Sequence, residues 1–436
     1  MNDYSFGNRL LQLRKESGLT QRQAAASLKV TDKAVSKWET GRAKPALGIV
    51  RNLANLYHVS VDELLKLLEE RQEPKITKIV LTGGPCAGKT TAMSWIQNAF
   101  TKDGYTVLFV PETATELISG GVRPGDCRSG LDFQAGLMRL QLAKEKVFTD
   151  LARSLKAEKV LIVCDRGALD NRAYLDDAGF LALLHEIGMS EVELRDGYDA
   201  VFHLVTAAKG AVDCYTTANN KARSETPEQA AALDDAVIRA WTGHPHLRII
   251  DNSTEFEAKM LRLISEIAAF LGEPEPYEIE RKYLIEYPDL HALAEDPNCR
   301  RVEIIQTYLT PPPGTDDEIR VRQRGENGSY LYYQTTKRTI SGLKRVETER
   351  RLSQQEYLTL LMQADPERRP IRKDRYCLTY EGQYFEIDVY PFWKDQAIAE
   401  IELRTGDEEI TFPPQIKVIR EVTDDEAYKN ASLAKR

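Results

Sequence analysis

Read by the spacing of its apolar positions, the chain changes style twice. Up to residue 70 the period is helical: "RLLQLRKES" puts Leu10, Leu11 and Leu13 on a stripe that stops at Gly18, Thr20 can cap "QRQAAASLK", and Thr31 can cap "DKAVSKWETG". "LGIVRNLANLY" and "VDELLKLL" complete a small bundle. From residue 77 short unbroken apolar runs, "KIVLTG", "YTVLFVPE", "KVLIVCDRG", "DAVFHLVT" and "LRIIDN", alternate with helical stretches, as strands buried on both faces by crossover helices do. Beyond residue 276 the strands lengthen and alternate charged with apolar positions, with one or two helices among them, which predicts an antiparallel, barrel-like sheet. Two charged, proline-containing linkers, "EERQEPKITK" and "LGEPEPYEIE", lie between these styles. The expectation is a multidomain protein: an all-α helix-turn-helix bundle over 1–70, an α/β parallel sheet over 77–272, and an antiparallel β-barrel α+β domain over 276–436.

Charge sharpens this division. Residues 1–72 carry a net +4, residues 73–275 a net −7 and residues 276–436 a net −5. A basic head on an acidic body suits local nucleic-acid contact, not binding along the whole molecule. The six cysteines (86, 127, 164, 214, 299 and 377) contain no C-x-x-C pair, which argues against a disulfide framework or a zinc site and for a reducing cytoplasm. No apolar run approaches the roughly 18 residues of a membrane span, and "MNDYSFGNRL" lacks a signal-peptide core, so a cytoplasmic protein without a membrane span is expected.

In the head, helix, tight turn and helix form the outline of a helix-turn-helix unit. "GLTQRQAAASLKVTDKAVSKWETGRAKP" closely resembles the XRE family of Cro-like repressors. The resemblance implies that Gln21 and Gln23 open the positioning helix and that Thr31, Asp32, Lys33, Ser36 and Lys37 sit on the recognition helix. Short polar groups there could reach base edges while Lys33, Lys37 and Arg42 meet phosphates. Trp38 reads as core, and one such unit usually needs a homodimer or higher oligomer to reach two half-sites.

"GGPCAGKTT" (Gly83, Gly84, Pro85, Cys86, Ala87, Gly88, Lys89, Thr90, Thr91) fits G-x-x-x-x-G-K-[ST] between an apolar strand and a helix. Its glycines let backbone N–H groups wrap phosphates, Lys89 offsets charge on the β- and γ-phosphates, and Thr90 can ligate magnesium. Glu112 ends the second strand and could act as base for an acceptor hydroxyl. Asp165 and Arg166 end the third, Asp165 as a magnesium or water partner. Lys221 and Arg223 are candidates for a lid closing on transferring phosphate. His244 and His246 lack a nearby cysteine, so base binding or packing fits better than a metal. Residues 77–272 resemble the NadR-like P-loop domains, which implies ATP or GTP binding with kinase or hydrolase activity.

In the last part Glu278, Glu280 and Lys282 alternate in "YEIERKYL", and the device recurs with Glu318, Arg320, Arg322 and Arg324, with Glu347 and Glu349, with Lys373 and Arg375, with Glu386 and Asp388, and with Glu400 and Glu402. Residues two apart share a strand face, and a face so charged cannot be core; if the sheet closes, it lines a polar lumen. Acids and bases together suit a guest of both signs, divalent cations on the carboxylates and polyanionic phosphate on the cations.

Residues 276–436 resemble the CYTH family, the triphosphate tunnel metalloenzymes. The resemblance implies magnesium or manganese on Glu278, Glu280, Glu400 and Glu402, with Lys282, Arg320, Arg322, Lys337, Lys373 and Arg375 cradling a triphosphate. Glu347, Glu349 and Asp388 could hold a second metal or orient water. Metal-assisted attack on a terminal phosphoryl group follows, with Lys89, Glu112, Asp165, Arg166 and Arg223 serving the P-loop chemistry and Glu278, Glu280 and Lys282 that of the tunnel.

Three functions remain open from sequence. The first is an enzyme that turns over nucleoside triphosphate or tripolyphosphate, and the second a regulator whose phosphate sites control DNA binding. The third is a signalling module that binds nucleotide and anionic phospholipid headgroups without turnover.

Overall fold

The computed structural model describes residues 4–40, 43–69, 74–211, 226–272, 279–311, 317–341, 344–403 and 408–435. The chain forms two compact units, Met1–Ile76 with Asp150–Val160, and Thr77–Thr149 with Leu161–Arg436. In the first unit five helices, α1 (Tyr4–Glu16), α2 (Gln21–Leu28), α3 (Asp32–Glu39), α4 (Leu47–Tyr57) and α5 (Val61–Glu69), follow the apolar stripes. Thr20 closes a capping box with Gln23 at the start of α2, and Thr31 accepts from the Ala34 N–H at the start of α3. Leu10, Val35, Trp38, Val50, Leu53 and Leu64 pack into one core, so Trp38 is a core residue.

The second unit begins with a five-stranded sheet in the order β2-β3-β1-β4-β5: β1 (Lys75–Gly83), β2 (Tyr105–Val110), β3 (Lys159–Asp165), β4 (Ala200–Leu204) and β5 (Leu247–Ile250). The β1–β4 and β4–β5 pairs are parallel. Crossover segments include α6 (Lys89–Lys102), α7 (Thr113–Ser119), α8 (Gly130–Ser154), α9 (Asp177–Ile187), α10 (Glu191–Arg195) and α11 (Pro227–Trp241), with α12 (Phe256–Leu271) following β5. Because β1 lies centrally, its carboxyl end falls in the crevice where open α/β sheets bind ligands.

A nine-stranded antiparallel sheet follows, built from β6 (Ile279–Glu286), β7 (Cys299–Leu309), β8 (Glu318–Glu326), β9 (Ser329–Ser341), β10 (Lys344–Leu352), β11 (Ile371–Tyr380), β12 (Gln383–Val389), β13 (Gln396–Leu403) and β14 (Val418–Glu421). Its order is β10-β9-β8-β7-β11-β12-β13-β6-β14. The expected antiparallel sheet is present, but its hydrogen-bonded ladder is open: among the described residues β10 and β14 end the row and do not pair with each other. The four-residue β14 joins β6 across a register shift and is exposed along its length, so it ends the sheet rather than extending it to closure.

One face of this sheet carries the hydrophobic core, with Tyr283, Ile285, Tyr376, Leu378, Phe385, Ile387, Ala399 and Ile401 gathered over α13 (Leu290–Glu295). A smaller cluster of Leu309, Val321 and Leu352 holds Tyr357 of α14 (Gln354–Leu361). Among the described residues no helix is long and apolar enough to cross a membrane. Cys86, Cys127, Cys164, Cys299 and Cys377 are free thiols, and Cys214 lies outside the described residues.

Candidate functional site

The phosphate loop begins where β1 ends. Gly83 has φ 147°, and a Cβ there would stand 2.1 Å from the Leu204 carbonyl oxygen of β4. Gly88 has φ 92° and faces the Phe256 ring, so both positions need the missing side chain. Gly83→Ala should therefore weaken nucleotide binding by about tenfold or more, read by equilibrium titration of the full chain with ATP and with GTP. Lys89 is buried at the start of α6 and donates to the Gly83 carbonyl at 3.3 Å.

Asp165 and Arg166 stand beside this loop at the end of β3. The Asp165 Oδ1 is buried without a hydrogen-bond partner, and burial, with Glu112 and Asp170 nearby, raises its carboxyl above the usual range against the pull of Lys89. An orphaned buried carboxylate oxygen next to a phosphate loop fits a magnesium ion with its water shell. Arg166 donates to Glu112 at 2.5 Å, and Thr115 donates to Glu112 at 2.6 Å. Burial pushes the Glu112 carboxyl up, but Arg166, Lys89 and these bonds override it and hold it at about 2. A carboxylate so held is a weak base while Arg166 remains on it. Lys221 and Arg223 lie outside the described residues.

Three supporting residues carried no motif. Asp234 of α11 accepts from the Gly84 N–H at 2.9 Å, pairs with His203 at 2.9 Å and takes Lys209 at 3.0 Å, so one loop amide is committed to the protein. Lys259 of α12 donates to the Val205 carbonyl and to Asn252, each at 2.7 Å, beneath the loop. Asp170 receives Thr82 at 2.6 Å and the Trp241 indole at 2.5 Å, fixing the end of β3 against β1. His244 and His246 are packing residues: the His244 ring lies between the Tyr198 carbonyl and the His246 N–H, at 3.1 and 3.0 Å.

In the nine-stranded sheet the register brings the charged positions onto one continuous face. Glu280 lies opposite Glu402, Lys282 opposite Glu400, Glu400 opposite Glu386, and Asp388 opposite Arg375. Across β7 the same face continues through Arg322 opposite Gln306, Tyr333 opposite Arg322, and Glu349 opposite Thr335. Lys282 donates to Glu400 at 2.6 Å and lies 3.3 Å from Glu280. Arg375 holds Asp388 and Glu400 at 2.7 Å each and also pairs with Glu386, while Lys373 pairs with Asp388. Arg322 meets Glu349 at 2.7 Å, with Thr335 donating to the same carboxylate at 3.0 Å, and the Arg322 Nε is buried without a partner.

This face is enclosed: Asp388 is 0% exposed, Lys373 3% and Glu400 6%. Two residues further along the same strand faces, charge gives way to Ile371, Tyr390 and Ile398, which cluster with Tyr308 and with Ala434 after α15 (Asn430–Leu433). The charged layer thus has an apolar floor. Lys337 is half-buried on β9 and Arg320 lies on β8, both on the charged face. Glu278 and the side chain of Glu347 lie outside the described residues.

Crowding sets the proton affinities here. Burial and the neighbouring Glu400 push the Glu280 carboxyl up to about 7 despite Lys282. Glu400, although buried, is held far below the usual carboxylate range by Lys282, Arg375 and Lys373. Glu280 lies opposite Glu402 in register and shares Lys282 with Glu400, and these three carboxylates fit a divalent cation that displaces part of their pairing with Lys282 and Arg248. Asp388 differs, because Lys373 and Arg375 already occupy both its oxygens. Among the described residues no group of three acidic, histidine or cysteine side chains is drawn together as a ready metal cage.

Arg324, spaced with Arg320 and Arg322 on β8, has another use. It donates at 2.7 Å to Asp196, just after α10, and Asp196 also accepts from Arg195 at 2.8 Å. All three are essentially without exposure, and Arg324 also reaches the Gly243 carbonyl. Thr242 meets Thr379 at 3.0 Å and the Tyr384 hydroxyl donates to the His244 carbonyl at 3.0 Å, so the P-loop sheet and the antiparallel sheet are joined through a polar seam.

On the first unit, Thr31, Asp32, Lys33 and Lys37 are exposed on α3 and Ser36 is half-buried. Gln21 instead donates at 2.8 Å to the buried Glu39, which also takes Arg14 at 2.5 Å, so its side chain serves the fold of the bundle. Arg42 lies outside the described residues.

Comparison with known proteins follows these divisions. Family profiles match residues 5–67 as a helix-turn-helix domain, residues 78–259 as an AAA domain and residues 276–436 as a CYTH domain. An inorganic triphosphatase of Nitrosomonas europaea is 36% identical over 163 residues, covering 36% of this chain and 96% of that protein. The chain belongs to the CYTH family. Its CYTH part is preceded by a P-loop domain and a helix-turn-helix domain. The crystal structure of an inorganic triphosphatase is 29% identical, covering 36% of this chain and 94% of that one, with a TM-score of 0.27. The head is 40% identical over 60 residues to the HTH-type transcriptional activator BcrR of Enterococcus faecalis, covering 14% of this chain and 29% of that protein.

Proposed function

We propose that the CYTH domain is a metal-dependent triphosphatase acting on tripolyphosphate or a nucleoside triphosphate, beside a P-loop domain that binds and turns over ATP or GTP. The observation that carries this reading is the single charged face on which Lys282, Arg322, Lys373 and Arg375 alternate with Glu280, Glu386, Asp388 and Glu400, buried at Lys373, Arg375, Asp388 and Glu400 and half-buried at the others. The likeness to an inorganic triphosphatase supports it. Lys282, Arg320, Arg322, Lys337, Lys373 and Arg375 would neutralise the phosphate chain, and the apolar floor would exclude water behind it. Glu280, Glu400 and Glu402, with Glu278, would hold magnesium or manganese. When bound, that ion supplies charge stabilisation at the phosphoryl oxygens and a more acidic water. Glu349 and Asp388 would keep Arg322, Lys373 and Arg375 aimed across the face.

In the P-loop domain Lys89 and the loop amides would bind the β- and γ-phosphates, Asp165 and Thr90 the magnesium, and Arg166 the transferring group. Kinase activity would need an acceptor within reach of Glu112. The test is phosphate release from ATP, GTP and tripolyphosphate with magnesium or manganese, comparing the wild type with Lys89→Ala and Glu280→Ala. Cleavage of tripolyphosphate or a nucleoside triphosphate that is lost in Glu280→Ala and kept in Lys89→Ala supports the reading; wild type inert toward all three substrates with both metals refutes it.

The Glu280 carboxyl gives a pH prediction. Its pKa of about 7 lies above the ordinary carboxylate value, so the metal-free domain keeps this proton until about neutrality and must release it to take a cation. Manganese affinity should fall about tenfold per pH unit below 7, with a proton released on binding, read by calorimetry in buffers of different ionisation enthalpy. Without metal the same shift favours the folded state at low pH, and that contribution is lost as pH rises through about 7.

A second reading, a regulator in which the phosphate sites control DNA binding, is favoured by the exposure of Thr31, Asp32, Lys33 and Lys37 on α3. Nucleotide-dependent DNA binding by a dimer, in a cytoplasmic setting, would support it. DNA binding indifferent to ATP, GTP and tripolyphosphate would count against it.

A further inference from the structure

Glu402 stands at the rim of the charged face, opposite Glu280 in register and two residues from the buried Glu400. Its carboxylate is 38% exposed, and it is paired with a residue from outside the CYTH domain: Arg248 of β5, in the P-loop sheet. The Arg248 guanidinium is braced from behind by Glu266 of α12 at 3.6 Å and reaches its neighbour's carbonyl, Leu247, at 3.3 Å. β5 itself lies against β12, and the Thr242–Thr379 and Tyr384–His244 bonds join the same two parts of the chain, so the pair sits within a packed seam. Arg248 therefore occupies a carboxylate that would otherwise serve a cation beside Glu280 and Glu400.

A guanidinium and a divalent ion cannot share that carboxylate at full strength, since both seek the same lone pairs and their charges repel at contact distance. We propose that Arg248 of the P-loop domain competes with the divalent cation for Glu402, making β5 a working part of the CYTH domain's metal site. Metal loading then frees Arg248 from Glu402, and any event that draws Arg248 toward Glu266 favours metal in return, since such coupling is reciprocal. α12, which carries Glu266, also carries Lys259 beneath the phosphate loop, so the brace behind Arg248 and the support of the loop are one helix.

This inference rests on the reading of Glu280, Glu400 and Glu402 as metal ligands, and the test separates the two. Manganese binding to the full chain without nucleotide is measured by calorimetry for the wild type, Arg248→Gln, Arg248→Lys, Arg281→Gln and the double variant Glu280→Gln/Glu400→Gln. Arg281 is the control because it neighbours Glu280 in sequence but points to the other face, where it holds Glu421 at 2.5 Å. The expected result is a gain of about five- to tenfold in manganese affinity for Arg248→Gln. Arg248→Lys should stay closer to the wild type, and Arg281→Gln should match it. Unchanged or weaker binding in Arg248→Gln, or an equal gain in Arg281→Gln, overturns the competition while leaving the metal site standing. Undiminished binding in the double variant overturns the metal site itself, and the competition with it.

Discussion

Asp196→Ala is expected to destabilise the second unit by about 3–5 kcal/mol, because it leaves the buried Arg324 without a carboxylate and the buried Arg195 with only Glu326 at 3.5 Å. Arg195 and Arg324 come from different domains, and both converge on this one side chain with almost no solvent access. Burial opposes every charge in the group, but the two arginines override it and hold the Asp196 carboxyl far below its usual range. Thermal or urea unfolding of the full chain would show the loss as an earlier transition for the P-loop and CYTH domains. Asp196→Asn, which keeps one acceptor oxygen, should fall between the two. A shift under about 1 kcal/mol for Asp196→Ala would mean that solvent reaches the seam and compensates.

Arg375→Ala should lower kcat/KM for tripolyphosphate by about 10²- to 10³-fold, the scale of losing one preorganised charge-stabilising donor. The guanidinium of Arg375 ties together Glu386, Asp388 and Glu400, so its removal takes away the proposed phosphate partner and a cation shared by three carboxylates. Arg375→Lys should recover only part of the loss, since an ammonium cannot bond Asp388 and Glu400 in the same plane. Nucleotide binding at the P-loop should be unchanged in both variants, which separates a defect of the charged face from general unfolding. Wild-type tripolyphosphate cleavage in Arg375→Ala would remove this residue from the phosphate cradle.

Most of the fold is written in local pattern. Helical stripes, unbroken apolar runs and charged alternation each obey a fixed side-chain period, so Leu10, Val80 and Phe385 declare their burial without tertiary information. The shared charged face was equally legible, because alternation along one strand fixes a face and antiparallel pairing carries it to the next. Closure was not legible: whether a ladder returns on itself depends on accumulated twist and on a short last strand, which residue types do not encode.

Within the candidate sites, the motifs fix where their residues fall on strand ends and on one sheet face, and the residues that support them carry no motif. Asp234 and Lys259 reach the phosphate loop, and Asp170 the end of β1 before it, from segments distant in sequence, with no spacing rule to announce them. Arg324 shows the limit from the other side, since its spacing matches Arg322 but its guanidinium meets Asp196 of the neighbouring domain. Gln21 likewise sits at a position suited to DNA contact and spends its amide on Glu39.

The charged face of the antiparallel sheet is proposed to hold a phosphate chain. The most direct test is calorimetric titration of tripolyphosphate, with manganese, into the full chain carrying Lys89→Ala so that the P-loop is silenced. The account predicts saturable binding of one tripolyphosphate per chain that disappears when Arg375→Ala is added. Absence of saturable binding, or binding that survives Arg375→Ala undiminished, would contradict it.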